Sequence, residues 1–541
     1  MREVSNCMLR CTPKYKKEHE ASFAARMLLQ NITGDEKHSM ISATRIAKNT
    51  LALYFRQILI MLVSLYNVRV VLATLGAEDY GIYNVVAGVV VLFSFVNNAM
   101  ATSVQRYLNF YLGKGDSEKT QEVYSKSLVI HGVICLIFII LAETVGLWFV
   151  NKKLNIPDAR RIAAFWCYQA AVITTLANIM RVPYNAVIIA YERMSFFAGL
   201  SIVEAVLKLL VVFTLVVSPF DKLIFYSFLL TAVSFVILVC YKIYCNKKFE
   251  IAHYKKSSGK ALGKELVSFS GWSFFGAVAN VANSQGTNIV LNIFTNVTVN
   301  ATMGIANQVN SAVYSFVSNF QTAFNPQLVK SYAAGEKEEF LILINRATKF
   351  SFYLLWLIVL PVFINCEFLL SLWLKDVPDY AVGFVRLILI FSLIECLNGP
   401  LWVSIQATGN IKLYQIIIGI INILNLPFSI IAFCLGANPY CVLYIRIILN
   451  CFAFVFRLFF SKKYFNLPVK FFIKEAVFKP IVIVLLSSAI TVLVFYILKN
   501  QIIKFFVTCV ISVFISGILI LFIGFNRKER LSVVNKIRRK K

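Results

Sequence analysis

Charge is what this sequence has least of. Only 15% of its 541 residues are Asp, Glu, Lys or Arg, and basic residues outnumber acidic ones 54 to 26. With 59% hydrophobic residues and a mean hydropathy of +0.73, the chain is too apolar for a soluble domain, where about half is the usual share. Histidine is scarce, and no two of the 12 cysteines form a C-x-x-C pair, so neither a metal site nor a disulfide framework is expected. Cysteines inside apolar runs (Cys135, Cys240, Cys396, Cys434, Cys451) read as small apolar residues. His131, early in such a run, reads as a core or interface residue rather than a proton carrier. Gly113-Lys-Gly-Asp116 lacks the spacing and the preceding strand of a phosphate loop, which excludes direct ATP drive within this chain. No cofactor is expected. The alternation over about 10 residues that a membrane barrel strand requires is also missing.

What remains is long apolar runs. Each exceeds the roughly 20 residues needed to cross about 30 Å of hydrocarbon as helix. Fourteen spans are expected, at about 51–75, 81–103, 127–150, 163–190, 196–217, 223–244, 266–293, 302–328, 348–373, 381–407, 413–436, 441–460, 477–498 and 502–524. The fold class is therefore all-α and polytopic. Lys and Arg gather in the even-to-odd loops 104–126, 245–264, 329–347 and 461–476 and in the tail from Asn526. The positive-inside rule then puts both termini in the cytoplasm. That pattern accounts for the formal charge of +28 without nucleic acid. Residues 1–39 lack the basic-then-apolar order of a signal peptide. They read as a polar tail or as an over-extended start, with Met27 or Met40 as the favoured beginning. Asn296-Val-Thr and Asn300-Ala-Thr match a glycosylation pattern, but their very short loop makes accidental occurrence the better reading.

An internal repeat organises the runs. Gly81-Ile-Tyr-Asn-Val-Val86 returns as Gly304-Ile-Ala-Asn-Gln-Val309, and Val70-Val-Leu72 as Ile289-Val-Leu291. Gly113-Lys-Gly-Asp116 parallels Gly335-Glu-Lys337, and Leu147-Trp148…Pro157-Asp158 parallels Leu372-Trp373…Pro378-Asp379. Pro183 and Ala190 match Pro400 and Ala407 at the same spacing. The offset stays near 220 residues, and six spans precede the second copy, so the copies are parallel. The expected division is a polar tail 1–41, lobe one 42–262, lobe two 263–462, two extra helices 463–525 and a basic tail 526–541. Two such lobes around a midplane cavity are the architecture of an alternating-access transporter.

Ionisable groups within spans cost about 2.5–3.5 kcal/mol each, so they face a wet cavity or a partner. Span one carries Arg56 and Arg69. Span four carries Gln169, Asn178 and Arg181 before Pro183, and span ten carries Arg386, Glu395 and Asn398 before Pro400. Glu204 and Lys208 stand four apart on one face of span five, either as a structural salt bridge or as an ion-sensitive pair. Together with Glu395 they are the ion-coupling candidates. Spans seven and eight are rich in amides, including Asn280, Asn283, Asn288, Asn307 and Gln308. Amides donate and accept, which suits sugar hydroxyls. Arg56, Arg69 and Arg181 suit phosphate or pyrophosphate. These eight residues are the candidate substrate contacts.

Several stretches bear a family likeness. Asn49-Thr-Leu-Ala-Leu-Tyr-Phe-Arg56, Gly76…Asp79-Tyr-Gly-Ile-Tyr-Asn84, Gln105-Arg-Tyr107, Leu154-Asn-Ile-Pro157 and Pro183-Tyr-Asn-Ala186 resemble bacterial polysaccharide-biosynthesis exporters. These are O-antigen or capsule repeat-unit flippases of the multidrug/oligosaccharidyl-lipid/polysaccharide exporter superfamily. The resemblance covers about residues 42–525. It implies a flippase, not an enzyme, that carries undecaprenyl-diphosphate-linked oligosaccharide to the periplasmic leaflet, with ion-gradient coupling. It further implies a monomer in contact with membrane lipids, with polysaccharide polymerase and glycosyltransferases as partners. The rival within the fold is a multidrug cation antiporter, which would need a dominant acidic site. A membrane glycosyltransferase or polymerase would need a large soluble loop or an acidic catalytic cluster, and the sequence has neither.

Overall fold

The computed structural model describes residues 36–531, apart from 92–93, 154–156, 256–259, 296, 375–376 and 528. Residues 1–35, most of the basic tail, Asn296 and the side chains of Arg69 and Asn300 lie outside that set. Among the described residues there is helix and no strand. The helices are α1 (Glu36–Val91), α2 (Ser94–Gly113), α3 (Ser117–Leu141), α4 (Arg161–Ala190), α5 (Met194–Val217), α6 (Lys222–Lys248) and α7 (Lys260–Phe294). After them come α8 (Val297–Ala333), α9 (Lys337–Ile364), α10 (Ala381–Thr408), α11 (Lys412–Ile423, continued as Asn425–Cys434), α12 (Cys441–Phe465), α13 (Lys479–Ile497) and α14 (Gln501–Leu519). The expected polar corner after span one is a single break at Gly76, whose φ of 80° and ψ of 168° only glycine adopts freely.

Among the described residues, ten helices are long and apolar enough to cross a membrane, and they coincide with spans three to six and nine to fourteen. Spans one, two, seven and eight are helical but less apolar; α2 packs on both α7 and α8, and α1 packs on α8. Helices α3 and α9 begin about ten residues before their apolar runs, because backbone hydrogen bonding does not stop where the hydrocarbon does.

Among the described residues the two largest apolar cores are these. One draws on residues from Val71 to Phe269, with Val86, Leu108, Val187 and Ile237 fully buried; the other runs from Leu291 to Ile520 around Val317, Leu355 and Phe384. Outward positions such as Leu136, Leu485 and Val510 are exposed and apolar, as lipid contact requires. The C-terminal pair α13–α14 is tied to α9: Trp356 Nε1 donates to Ser487 Oγ at 2.9 Å, Asn365 Nδ2 to Thr508 Oγ1 at 3.0 Å, and Lys349 pairs with Glu529 at 2.6 Å.

Structure sharpens the repeat. Gly115 N bonds Leu112 O and Asp116 N bonds Tyr111 O; Gly335 N bonds Tyr332 O and Glu336 N bonds Ser331 O. Both glycines have positive φ, 70° and 79°. The two corners therefore superpose with Gly115 on Gly335, one turn glycine on the other.

Pro183 and Pro400 both lie inside continuous helices. A proline removes the donor that would bond the carbonyl four residues earlier. For Pro400 that carbonyl is Cys396 O, and Gln321 Nε2 of α8 donates to it at 3.2 Å. Gln321→Leu is expected to cost about 1–3 kcal/mol by leaving this carbonyl unpaired, seen as a lower melting temperature in detergent. An unchanged melting temperature would contradict that account.

Arg160, at the start of α4, donates Nε to Asp79 Oδ1 at 2.7 Å and Nη1 to Asp221 Oδ2 at 2.6 Å, clasping the corner at Gly76 to the start of α6. Asp221 also caps α6, accepting from Leu223 N and Ile224 N at 3.1 Å. Burial opposes ionisation of Asp221, but the Arg160 guanidinium and these amides outweigh it and hold the carboxyl below the usual range. A depressed native pKa stabilises the fold above the unfolded value, about 3.9, and that stability is lost as pH falls through the native pKa. The melting-temperature gap between the parent and Asp221→Asn should be constant above about pH 5 and close below it. A gap that widens on acidification would contradict this.

Candidate functional site

A charged cluster stands within lobe one, where α1, α4, α5 and α6 meet. Glu204 receives Arg181 Nη1 on one oxygen at 2.9 Å and Lys208 Nζ on the other at 2.7 Å. The Glu204–Lys208 pair of the sequence is thus one arm of a triad. Arg181 also lies over the Tyr241 ring, 5.8 Å from its centre. Arg56 sits 4.7 Å over Phe197 and donates Nη2 to Asn319 Oδ1 of α8 at 2.9 Å, so it reaches lobe two. Formally, Arg56, Arg181 and Lys208 against Glu204 leave an excess of two positive charges.

Lobe two holds a cavity of about 450 Å³, within the range of small-molecule sites. It is lined by α7, α8, α10, α11 and α12, with Thr102 of α2 at its edge. Of the predicted residues, Asn280, Asn283 and Glu395 line it, whereas Asn288, Asn307 and Gln308 lie outside its lining. Asn280 accepts from Asn422 Nδ2 at 3.0 Å and Asn283 from Asn425 Nδ2 at 2.9 Å, a matched pair of amide contacts between α7 and α11. Sequence reading passed over the charges of α12. Arg446, Asn450 and Arg457 fall at i, i+4 and i+11, one face of a helix, and all three line the cavity. Intramembrane arginine at helical spacing is a signal that could have found them.

The lobes meet through reciprocal contacts at the end bearing the basic loops. Arg106, near the end of α2, donates Nε to Gln406 O at 3.1 Å and Nη2 to Ala407 O at 2.9 Å, the last turn of α10. Lys330, near the end of α8, pairs at 2.6 Å with Glu192, just past the end of α4, and Gln327 Nε2 donates to the same carboxylate at 2.6 Å. Thus α2 grips the end of α10 while its repeat partner α8 grips the end of α4. Glu192 is 7% exposed and left-handed at φ 58°; in the repeat its place is held by Gly409, φ 84°. An L-residue there costs about 1–2 kcal/mol, which the side-chain contacts offset. Gly113 is part of the seam: a methyl group added to it would fall 2.5 Å from Lys330 O.

A model of the polysaccharide biosynthesis protein family matches residues 46–331, and one of the MatE family matches residues 287–431. No curated protein matches the sequence. Among solved structures, a MATE transporter in complex with MaD3S aligns at TM-score 0.66 and 12% identity, over 80% of this chain and 98% of that one. An outward-facing multidrug resistance MATE transporter of the MOP superfamily aligns at TM-score 0.66 and 12% identity, covering 78% and 96%. A MOP superfamily transporter from Pyrococcus furiosus, described as having a binding pocket of reversed polarity, aligns at 0.64 and 13%, covering 81% and 98%. At these identities the structural likeness establishes the fold. With more than half its length matched, the chain belongs to the polysaccharide biosynthesis protein family, and it is a multi-pass transporter of the MOP superfamily.

Proposed function

We propose that the protein is a flippase for undecaprenyl-diphosphate-linked oligosaccharide, moving it by alternating access from the cytoplasmic to the periplasmic leaflet of the inner membrane. The observation that carries this reading is the sign of the lobe-one interior: three cations, Arg56, Arg181 and Lys208, against one carboxylate, Glu204. That balance suits a diphosphate and is unfavourable for a cationic drug. The amide-rich cavity of lobe two suits sugar hydroxyls, which donate and accept. The basic end is the cytoplasmic one by its loop charges, and the Arg106 and Glu192 contacts hold it shut in the state described. In this reading Glu204, Lys208 and Glu395 couple transport to an ion gradient.

Deleting the gene should make lipid-linked repeat units accumulate on the cytoplasmic face and surface polysaccharide disappear. Unchanged surface polysaccharide in a strain without paralogues would sink the proposal. The MatE match over residues 287–431 and the MATE-like fold favour a second reading, a multidrug cation antiporter. Sensitisation of the deletion strain to cationic drugs, with surface polysaccharide intact, would select it.

A further inference from the structure

Helix α3 leads to an ionisable group that neither the lobe-one cluster nor the lobe-two cavity uses. Past Leu141 the helix widens into a π-turn, Ala142–Gly146, and then runs on as Leu147–Lys153. Tyr168 of α4 fills the opening: its Oη donates to Ala142 O at 2.7 Å, and a side chain at Gly146 would collide with that hydroxyl. Such turns are rare and concentrate at functional positions. This one holds Glu143, which is exposed and accepts from Gln169 Nε2 of α4 at 3.2 Å. Among the described residues no cation pairs with it.

The pair lies on the outside of lobe one and inside the membrane. Ile162, Phe165 and Trp166 are exposed along one stripe of α4, and Gln169 follows on it at helical spacing. Ala163, Ala164 and Cys167, on the opposite side, are buried, and Arg181 of the lobe-one cluster, five turns after Ala163, shares that inner side. On α3, Leu136, Ile140 and Val145 are exposed and apolar as well. Glu143 is eight residues from the end of its span, Ser117–Asn151, and Gln169 eleven from the start of its own, Asp158–Ala190. At helical rise both are roughly 12–16 Å deep, near the middle of a bilayer. Ionisable groups at that depth are costly, and they line a wet cavity or meet a partner. Here the surroundings are apolar, which leaves a partner.

The chemistry of the pair selects that partner. Gln169 directs its amide nitrogen at Glu143, which leaves its carbonyl oxygen beside the second carboxylate oxygen: two acceptors and a negative charge. Lys and Arg side chains, which only donate and are positive, match that set. A lipid headgroup amine stays at the membrane surface, above this depth. Two copies of the chain meeting symmetrically at this patch would set carboxylate against carboxylate. A helix, in contrast, can place a basic side chain at any depth.

We propose that the outer face of α3 and α4 around Glu143 and Gln169 is a docking surface for a membrane-spanning helix of another protein that presents a Lys or Arg at this depth. Nothing in it depends on what the carrier transports.

The test reconstitutes the full-length protein in liposomes with increasing amounts of a synthetic Leu/Ala helix of about 23 residues bearing one central Lys. Association is read by energy transfer, against the same helix with Leu in that place. The Lys helix should bind at least tenfold tighter, and Glu143→Gln should erase most of that preference without lowering the melting temperature. If Glu143→Gln does not fold, Gln169→Leu should weaken binding of the Lys helix at least threefold. Equal affinity for the two helices, or an undiminished preference in the variant, overturns the surface. A preference that disappears when phosphatidylethanolamine replaces phosphatidylcholine gives the site to the lipid amine and overturns it too. A dimer of the protein alone that Glu143→Gln dissociates does the same, because the occupant is then a second copy.

Discussion

Replacing Glu192 with alanine is expected to cut transport at least tenfold while leaving the protein folded. Lys330 and Gln327 both end on this one buried carboxylate. Removing it strands a cation that is only 25% exposed, a loss of about 3 kcal/mol that falls on the closed basic end and not on either lobe core. Single cysteines placed near Gln327 should then label faster from the cytoplasmic side. Glycine separates backbone from side chain at this position. Glu192→Gly also loses the carboxylate but relieves the left-handed strain, so it should melt above Glu192→Ala by an amount worth about 1 kcal/mol. Exchanging the charges, Glu192→Lys with Lys330→Glu, should recover part of the transport. Wild-type transport by Glu192→Ala would show that the basic end is held by something else.

The second large effect is expected at Arg181. Arg181→Gln retains a donor for Glu204 but deletes one of the three cations of the lobe-one cluster. Hydrogen bonds to charged groups are worth about 1.5–3 kcal/mol, so export of a diphosphate-linked substrate should fall roughly 10- to 100-fold. Melting temperature should move little, because Lys208 still pairs with Glu204. A variant with normal export would leave Arg181 a structural partner of Glu204 alone. One with lower melting temperature and proportionally lower protein level would point the same way.

Element positions were largely legible, since apolar runs and loop charge are written directly in the sequence. The repeat was legible too, and its offset placed Pro183 against Pro400 inside matching helices. What the repeat could not show was direction. Asn280 and Asn283 line the lobe-two cavity while Asn307 and Gln308 do not, because helical phase fixes a face but not what the face meets. Arg106 read as an ordinary loop charge; hydropathy contains nothing about the carbonyls of Gln406 and Ala407, 300 residues away, that it reaches. Glu192 was hidden for another reason. Its oddity appears only when the repeat sets it opposite Gly409, and the positive φ that gives this pairing meaning is a property of the folded chain.

Reconstituted flipping tests the account most directly. The purified protein is placed in liposomes with a short-chain lipid diphosphate bearing one oligosaccharide unit, and the fraction in the outer leaflet is followed with an impermeant glycosidase. Wild-type protein should move the lipid many times faster than empty liposomes, and Arg181→Gln should remove most of that acceleration. Flipping no faster than in empty liposomes, from protein that exchanges a cationic drug for protons in the same vesicles, would contradict the account and make this chain a drug antiporter.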